Sequence, residues 1–217
     1  MRTKKDLTDA VQRLGIVPFF KNSVKGFSIE ENVDPSVWFA DGDGVWEWKG
    51  PLIRSIGCAY GKFFENKAAF VSREWFCHLA NYRRDGYDFD ALYDDGLASR
   101  KDKELFELID ANAPVLSKEL KLLGGYVKGG KKGFDTVLNR LMYRCYVITD
   151  DFVYQVDKKG NTYGWGVAAY TTPERMMGEA FTENVYGVSP GESRMKLVRH
   201  IARIAGTDEE KASTFLG

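Results

Sequence analysis

One stretch limits the fold more than any other. Between Lys103 and Tyr170, apolar residues recur first at helical and then at alternating spacing. Leu105, Leu108 and Ile109 mark one face of a helix over about 103–111, and Pro114 ends the connection that follows it. Ser117 is the expected cap of a short second helix through Leu120 and Leu123, stopped by Gly124 and Gly125. Phe134, Val137, Leu138, Leu141 and Cys145 form the i, i+3, i+4, i+7 stripe of a third helix over 134–144. Alternation then takes over. Phe152, Tyr154 and Val156 share one face of a strand, Tyr163, Trp165, Val167 and Ala169 share one face of the next, and 157–161 makes the turn. Helix, short helix, helix and long hairpin is the order of a winged helix-turn-helix, in which the third helix is placed to enter a major groove.

Upstream, Leu7, Ala10, Val11 and Leu14 predict an opening helix ended by Gly15. Residues 28–31 predict a short helix limited by Pro35. Asp41-Gly42-Asp43-Gly44 is turn chemistry, and 45–48 with 52–56 read as strand or short-helix material. Two short strands, 59–64 and 68–72, flank a turn at 65–67, and helical spacing resumes over 74–83. The acidic, turn-rich segment 87–99 is the expected boundary. The expected units are an N-terminal α+β domain over 1–98, a winged helix-turn-helix domain over 99–172 and a helical tail over 173–217. In that tail, Pro173, the capping pattern Ser189 to Glu192 and the pattern Thr207 to Glu210 each predict a helix start.

Composition narrows the function. Lysine plus arginine and aspartate plus glutamate both total 31, so a uniformly basic nucleic-acid coat is excluded, although a local patch is not. Such a patch lies in 117–160, where nine basic residues face five acids. Three cysteines at no metal spacing and two histidines cannot build the usual Cys/His zinc site. No run approaches the ~18 apolar residues of a membrane span, and the charged start does not resemble a secretory signal. The expectation is a cytoplasmic protein with reduced thiols, no membrane partner and an oligomeric state that the sequence leaves open.

DNA is the expected partner. Lys118, Lys131, Lys132, Arg140, Arg144, Lys158 and Lys159 are the candidate phosphate contacts, and Asn139 and Tyr143 are the candidate base contacts on the third helix. Several sharper-looking motifs fail. Gly125, Gly130 and Lys131 approach a phosphate loop, but Lys132 replaces the Ser/Thr that would hold Mg²⁺. Asp41 and Asp43 lack the distal Glu of a calcium loop. The aspartates at 85, 88, 90, 94 and 95 read as a solvated linker, and Cys77-His78 as a buried thiol beside a structural histidine. The aromatic strip Trp38, Phe39, Trp46, Trp48, Tyr60, Phe63 and Phe64 is read mainly as core, with base stacking as the alternative.

Pro114 to Leu120, the helix around Leu138-Asn139-Arg140-Leu141, and the run from Cys145 through Phe152-Val153-Tyr154 to Thr172-Pro173-Glu174 resemble the winged-helix AlkZ/YcaQ DNA glycosylases. So do Ala68 to Phe76 and Tyr82-Arg83-Arg84. The resemblance spans roughly 45–177. It implies an α+β fold of tandem winged helix-turn-helix-like modules with a helical C-terminal tail, and excision of alkylated or crosslinked bases without a cofactor. It also implies a Gln-aliphatic-Gln or Gln-aliphatic-Asp pair in the N-terminal part. Residues 14–20 read Leu-Gly-Ile-Val-Pro-Phe-Phe instead, and Gln12 and Gln155 are the sole glutamines, so the chain reads as a shortened relative without that pair.

The expected function is therefore nucleic-acid binding in DNA repair, related to the glycosylases but without their standard motif. One alternative is an active glycosylase using another carboxylate. Glu47 is the candidate, because Trp46 and Trp48 would desolvate it and raise its pKa. The other alternative is a protein-interaction module.

Overall fold

The computed structural model describes the chain except residues 41 and 161, and describes Thr162 and Tyr163 by their backbone. Asp41 of the acidic turn, Asn161 of the hairpin turn and the Tyr163 side chain thus lie outside the described residues.

Helix α1 (Lys4–Leu14) opens on a reciprocal cap: Thr3 accepts the Asp6 N–H and the Asp6 carboxylate accepts that of Thr3. Gly15, at φ 73°, ends it in a conformation that a Cβ would resist. Strand β1 (Ile16–Pro18), short helices α2 (Ile29–Asn32) and α3 (Pro35–Trp38), helix α4 (Val45–Ile56) and hairpin strands β2 (Ala59–Phe64) and β3 (Lys67–Val71) follow. They form an antiparallel sheet of order β1-β3-β2. Helices α5 (Arg73–Arg84) and α6 (Phe89–Asp94) lead to α7 (Arg100–Asn112), β4 (Val115–Leu116), α8 (Ser117–Leu123), α9 (Phe134–Tyr143), β5 (Ile148–Val156) and β6 (Thr162–Thr171). The second sheet has the order β4-β6-β5, so the first sheet's arrangement recurs: the short first strand pairs with the last, which pairs with the middle one. Four helices close the chain: α10 (Pro173–Met177), α11 (Glu179–Asn184), α12 (Pro190–Ala205) and α13 (Glu209–Leu216). No helix among the described residues is long and apolar enough to cross a membrane.

Five expectations need correction. Residues 45–48 and 52–56, read as two pieces of strand or short helix, form one continuous helix. Glu47 accepts the Gly44 N–H at its start, and Pro51 inside it forgoes one helical hydrogen bond. The acidic segment 87–99 is not merely a linker, because Asp88 caps α6 within it. Ser117 is the first residue of α8 rather than its cap, and Asp208, not Thr207, caps α13. The β5–β6 register shifts between Thr149 and Asp151 and again opposite 163–167, where β6 takes two more residues than β5, so the alternation expected of β6 is interrupted, whereas Phe152 and Tyr154 share a face as expected, both lying against Gly166.

The two halves interlock. Helix α4 packs on β5, α9 packs on β2, and β2 contacts β5, so the helix that precedes each hairpin rests on the hairpin of the other half. Gly50 permits this closeness, since a Cβ there would collide with Asp151 Oδ1. The core follows the interlocking. Phe63, Phe64 and Phe76 from the first half share one cluster with Cys145 and Ile148 from the second and with Phe181, Leu197, Ile201 and Phe215 from the tail.

Helix α5 stitches these parts together with two adjacent arginines. Arg83 donates to the carbonyls of Tyr143 (2.6 Å), Leu216 (2.7 Å) and Phe63 (2.9 Å). Arg84 donates to Glu174 Oε1 (2.6 Å) and to the Cys145 carbonyl (2.7 Å), and lies over the Tyr146 ring. His200 on α12 stacks on Trp75 at 3.5 Å, and its Nε2 lies 2.7 Å from the Leu14 carbonyl oxygen, the geometry of an Nε2–H donor. Burial holds the His200 imidazole below its usual range; the Arg203 charge adds to this, and the Leu14 bond opposes it. Burial also lowers His78.

A folded-state pKa below the unfolded value means that the unfolded chain takes up the proton first as pH falls. Stability is therefore expected to fall as pH drops below about 6.5, the ordinary histidine value, until the folded-state values are passed. Urea midpoints at pH 7.5 and 5.5 should show this decline, and His200→Gln should flatten part of it. Equal slopes in both proteins would refute the assignment.

Candidate functional site

The sequence around α4 builds an aromatic cleft. Trp46 on its first turn stacks on Phe39, with ring centroids 6.1 Å apart and planes 5° apart, and meets Trp165 of β6 edge-on at 5.7 Å. Phe19, Phe20 and Trp38 pack around Trp46 at 5.5 to 6.0 Å. Phe39 and Trp165 nevertheless remain 68% and 67% exposed. Together with Ala40, Glu47 and Gly164 these rings line a cleft of about 280 Å³. The aromatic strip thus divides: Trp48, Tyr60, Phe63 and Phe64 are core, while Phe39 and part of Trp46 face this cleft. The half-buried Glu47 carboxylate lies in its wall, one oxygen holding the Gly44 N–H at 3.1 Å.

Beside the cleft sits a residue the sequence reading did not single out. Lys49 is 6% exposed, with Nζ 4.1 Å from the Phe152 ring centroid, 4.3 Å from Trp46 and 5.6 Å from Phe19. It forms no ion pair among the described residues. Burial pushes its amine down to about 8, with Glu47 opposing. On the same helix, Trp48 Nε1 donates to Asp43 Oδ1 at 2.7 Å, whereas Trp46 Nε1 is buried without a partner. Arg54 pairs with Asp151 across the α4–β5 contact. Burial, with Asp151 adding and Arg54 opposing, raises the neighbouring Asp150 carboxyl. One sequence signal could have found Lys49: a lone lysine directly after Val45-Trp46-Glu47-Trp48, once that run is taken as helical.

The basic residues of 117–160 are distributed unevenly. Arg140 is bound by Asp102 through Nε (2.8 Å) and Nη2 (2.5 Å), which, with Ser99, holds the Asp102 carboxyl below its usual range despite its burial. Lys131 Nζ is 2.7 Å from Glu104, and its N–H closes the loop onto the Gly125 carbonyl, so the resemblance to a phosphate loop is not realised. Arg144 donates to the Leu97 carbonyl at 2.9 Å, and Tyr143 is stacked 3.7 Å below the Arg83 guanidinium. Asn139, Arg140 and Tyr143 line a second cleft of about 490 Å³ with Lys62 of β2 and the end of α13, rather than standing on an open helix face. Lys118, Lys132, Lys158 and Lys159 are exposed and form no ion pair among the described residues.

Cys77 is half-buried, and burial raises its thiol. His78 Nδ1 lies 3.0 Å from Ser193 Oγ, which accepts from Asn81 Nδ2 and is fully buried, so this Ser–His contact is structural. No three His, Cys, Asp or Glu side chains gather as a metal ligand set among the described residues.

A family model described as "AlkZ related" matches residues 1–216. No curated protein and no solved structure matches the chain.

Proposed function

We propose, since the chain belongs to the AlkZ-related family, that it binds DNA and stacks an unpaired or extruded base in the aromatic cleft. The recurrence of helix, strand, helix, hairpin with the same strand order supports reading 1–98 and 99–172 as two winged helix-turn-helix-like units, with 173–217 as a helical tail packed into their shared core. The observation that carries the reading is the cleft itself. Phe39 and Trp165 stay exposed around Trp46, and Trp165 belongs to the hairpin whose turn bears Lys158 and Lys159. Exposed rings offer stacking to any base, and nearby free cations offer phosphate contacts.

Lys118, Lys132, Lys158 and Lys159 are the phosphate contacts in this reading. Lys131, Arg140 and Arg144, already held by protein groups, contribute less. Asn139 and Tyr143 approach nucleic acid only through the α9 cleft, because the outward faces of α4 and α9 pack against the opposite unit.

Duplex affinity is expected to fall steeply with salt, and the double substitution Lys158→Gln/Lys159→Gln should reduce the salt slope by about 2. Trp165→Ala should weaken binding to a duplex with one unpaired base by about 10-fold or more. Fluorescence anisotropy over a salt series checks both. Salt-independent affinity, or a neutral Trp165→Ala, would refute the reading.

The position of Glu47 in the cleft wall favours one second reading, a DNA glycosylase acting on alkylated or crosslinked bases with Glu47 as the carboxylate that positions water. Glu47→Gln keeps an oxygen for the Gly44 N–H, so the helix start survives while base release from alkylated DNA should stop. Unchanged release, or none from the unaltered protein, would exclude it.

A further inference from the structure

We propose that the cavity between α5 and α11 is a binding site for a small apolar α-amino acid. The inference goes beyond the DNA-binding reading and uses none of its residues.

Helix α11 packs on α5, and the two enclose a volume of about 380 Å³. Its floor is apolar: Met177 at the end of α10 and Phe181 of α11 are buried there, and Val188 and the half-buried Cys77 close the sides. The walls are braced by hydrogen bonds that do not depend on a ligand. Asn81 Nδ2 donates to the Val188 carbonyl at 2.8 Å and to Ser193 Oγ at 2.9 Å, and the His78 ring in the lining is held 3.0 Å from the same Ser193 oxygen. A preformed concave site with an apolar floor and a few polar groups suits a small molecule.

The rim carries one charge of each sign. Arg73, on the first turn of α5, is anchored by Nε to the Gly57 carbonyl at 3.1 Å and pairs with no carboxylate among the described residues. Glu74 beside it forms no ion pair or hydrogen bond among the described residues. Neighbouring positions on a helix point apart, so the two do not neutralise each other. Their charges reach the interior, that of Arg73 at the Cys77 thiol and that of Glu74 at the His78 ring. The other charged groups felt by His78, Lys196 and Glu192, are paired with each other at 3.4 Å. A simple anion entering here would meet Glu74, and a simple cation would meet Arg73. A zwitterion satisfies both, and an α-amino acid carries carboxylate, ammonium and apolar side chain on one carbon.

Cys77 makes occupancy measurable. Cys58 and Cys145 are 1% and 0% exposed, so Cys77 is the thiol that a reagent reaches first. The test is the rate at which methyl methanethiosulfonate, which attacks thiols and spares amines, modifies Cys77 in the intact chain, mapped by mass spectrometry. Leucine, methionine and phenylalanine are the probes, with glycine, phenylacetate and phenethylamine as controls. At about 10 mM, a probe with a Kd of about 1 mM slows the reaction roughly tenfold by occupancy, and the controls should slow it less than about twofold. Arg73→Gln and Glu74→Gln should each abolish the protection. Both side chains are exposed, and the controls test the charge assignment in the unaltered chain independently of either variant. Protection by at least one of the three amino acids, with this pattern, supports the proposal. No protection by any of them overturns it. Equal protection by phenylacetate or phenethylamine also overturns it, since one charge or apolar burial alone would then suffice, as does protection that survives either substitution.

Discussion

Glu174→Ala is expected to destabilise the protein by about 3 kcal/mol, lowering Tm by roughly 9 °C. The Arg84 side chain is 2% exposed, and Glu174 is its one carboxylate partner among the described residues, at 2.6 Å. Removing the acid leaves a buried guanidinium over the Tyr146 and Phe181 rings, with the Cys145 carbonyl at 2.7 Å and a long 3.4 Å contact to the Tyr186 hydroxyl as its remaining hydrogen-bond partners among the described residues. Breaking one side of a buried pair costs more than removing both, because the remaining charge keeps its desolvation penalty. The value sits at the lower end of the usual range because Glu174 itself is 39% exposed. Arg84→Met in the same chain should therefore restore part of the loss. Urea denaturation of the single and double variants checks the sign, and a double variant weaker than Glu174→Ala alone would refute the account.

Lys49→Met is expected to act in the opposite direction, stabilising the protein by about 2 kcal/mol and raising Tm by roughly 6 °C. Holding the Lys49 charge at neutral pH costs roughly 3 kcal/mol, against about 1 returned by the surrounding rings. Methionine keeps the apolar contacts with those rings and carries no charge. The pH dependence identifies the cause. As pH falls, the unfolded lysine protonates near its ordinary value of 10.5, whereas the folded one waits until about 8. The wild-type chain thus loses stability between those two values and no further below 8. The advantage of Lys49→Met should be constant below pH 8 and shrink as pH rises toward 10.5. Thermal melts across pH 7 to 10 measure it, and a destabilised variant would show that the lysine is there to support the fold. A stabilising result would make Lys49 a residue kept at the expense of stability.

The periodic helices were legible because burial enforced their spacing. Phe134, Val137, Leu138 and Leu141 are all buried where the stripe placed them, and Gly15 ends α1 as its chemistry requires. Helix α4 was legible only as strand or short-helix material in two pieces. Its alternating Trp46 and Trp48 imitate a strand, and Pro51 imitates a break. The buried face, Val45, Trp48, Leu52 and Ile53, packs on Leu7, Val11, Val17 and Phe70, partners that only the folded chain brings to it. The candidate site was harder still. Charge counting gave 117–160 its basic surplus but could not show that Asp102 and Glu104, outside that window, bind Arg140 and Lys131. The meeting of Trp46 with Trp165 joins residues whose separation no local pattern encodes.

The interlocking of α4 on β5 and α9 on β2 makes denaturation a joint event. If either hairpin frays, the helix it roofs loses its cover, and the Phe63–Phe215 core that both halves share opens with it. A chain of two topological repeats is thereby bound to melt as one cooperative body, and a defect anywhere along the seam is felt at both ends.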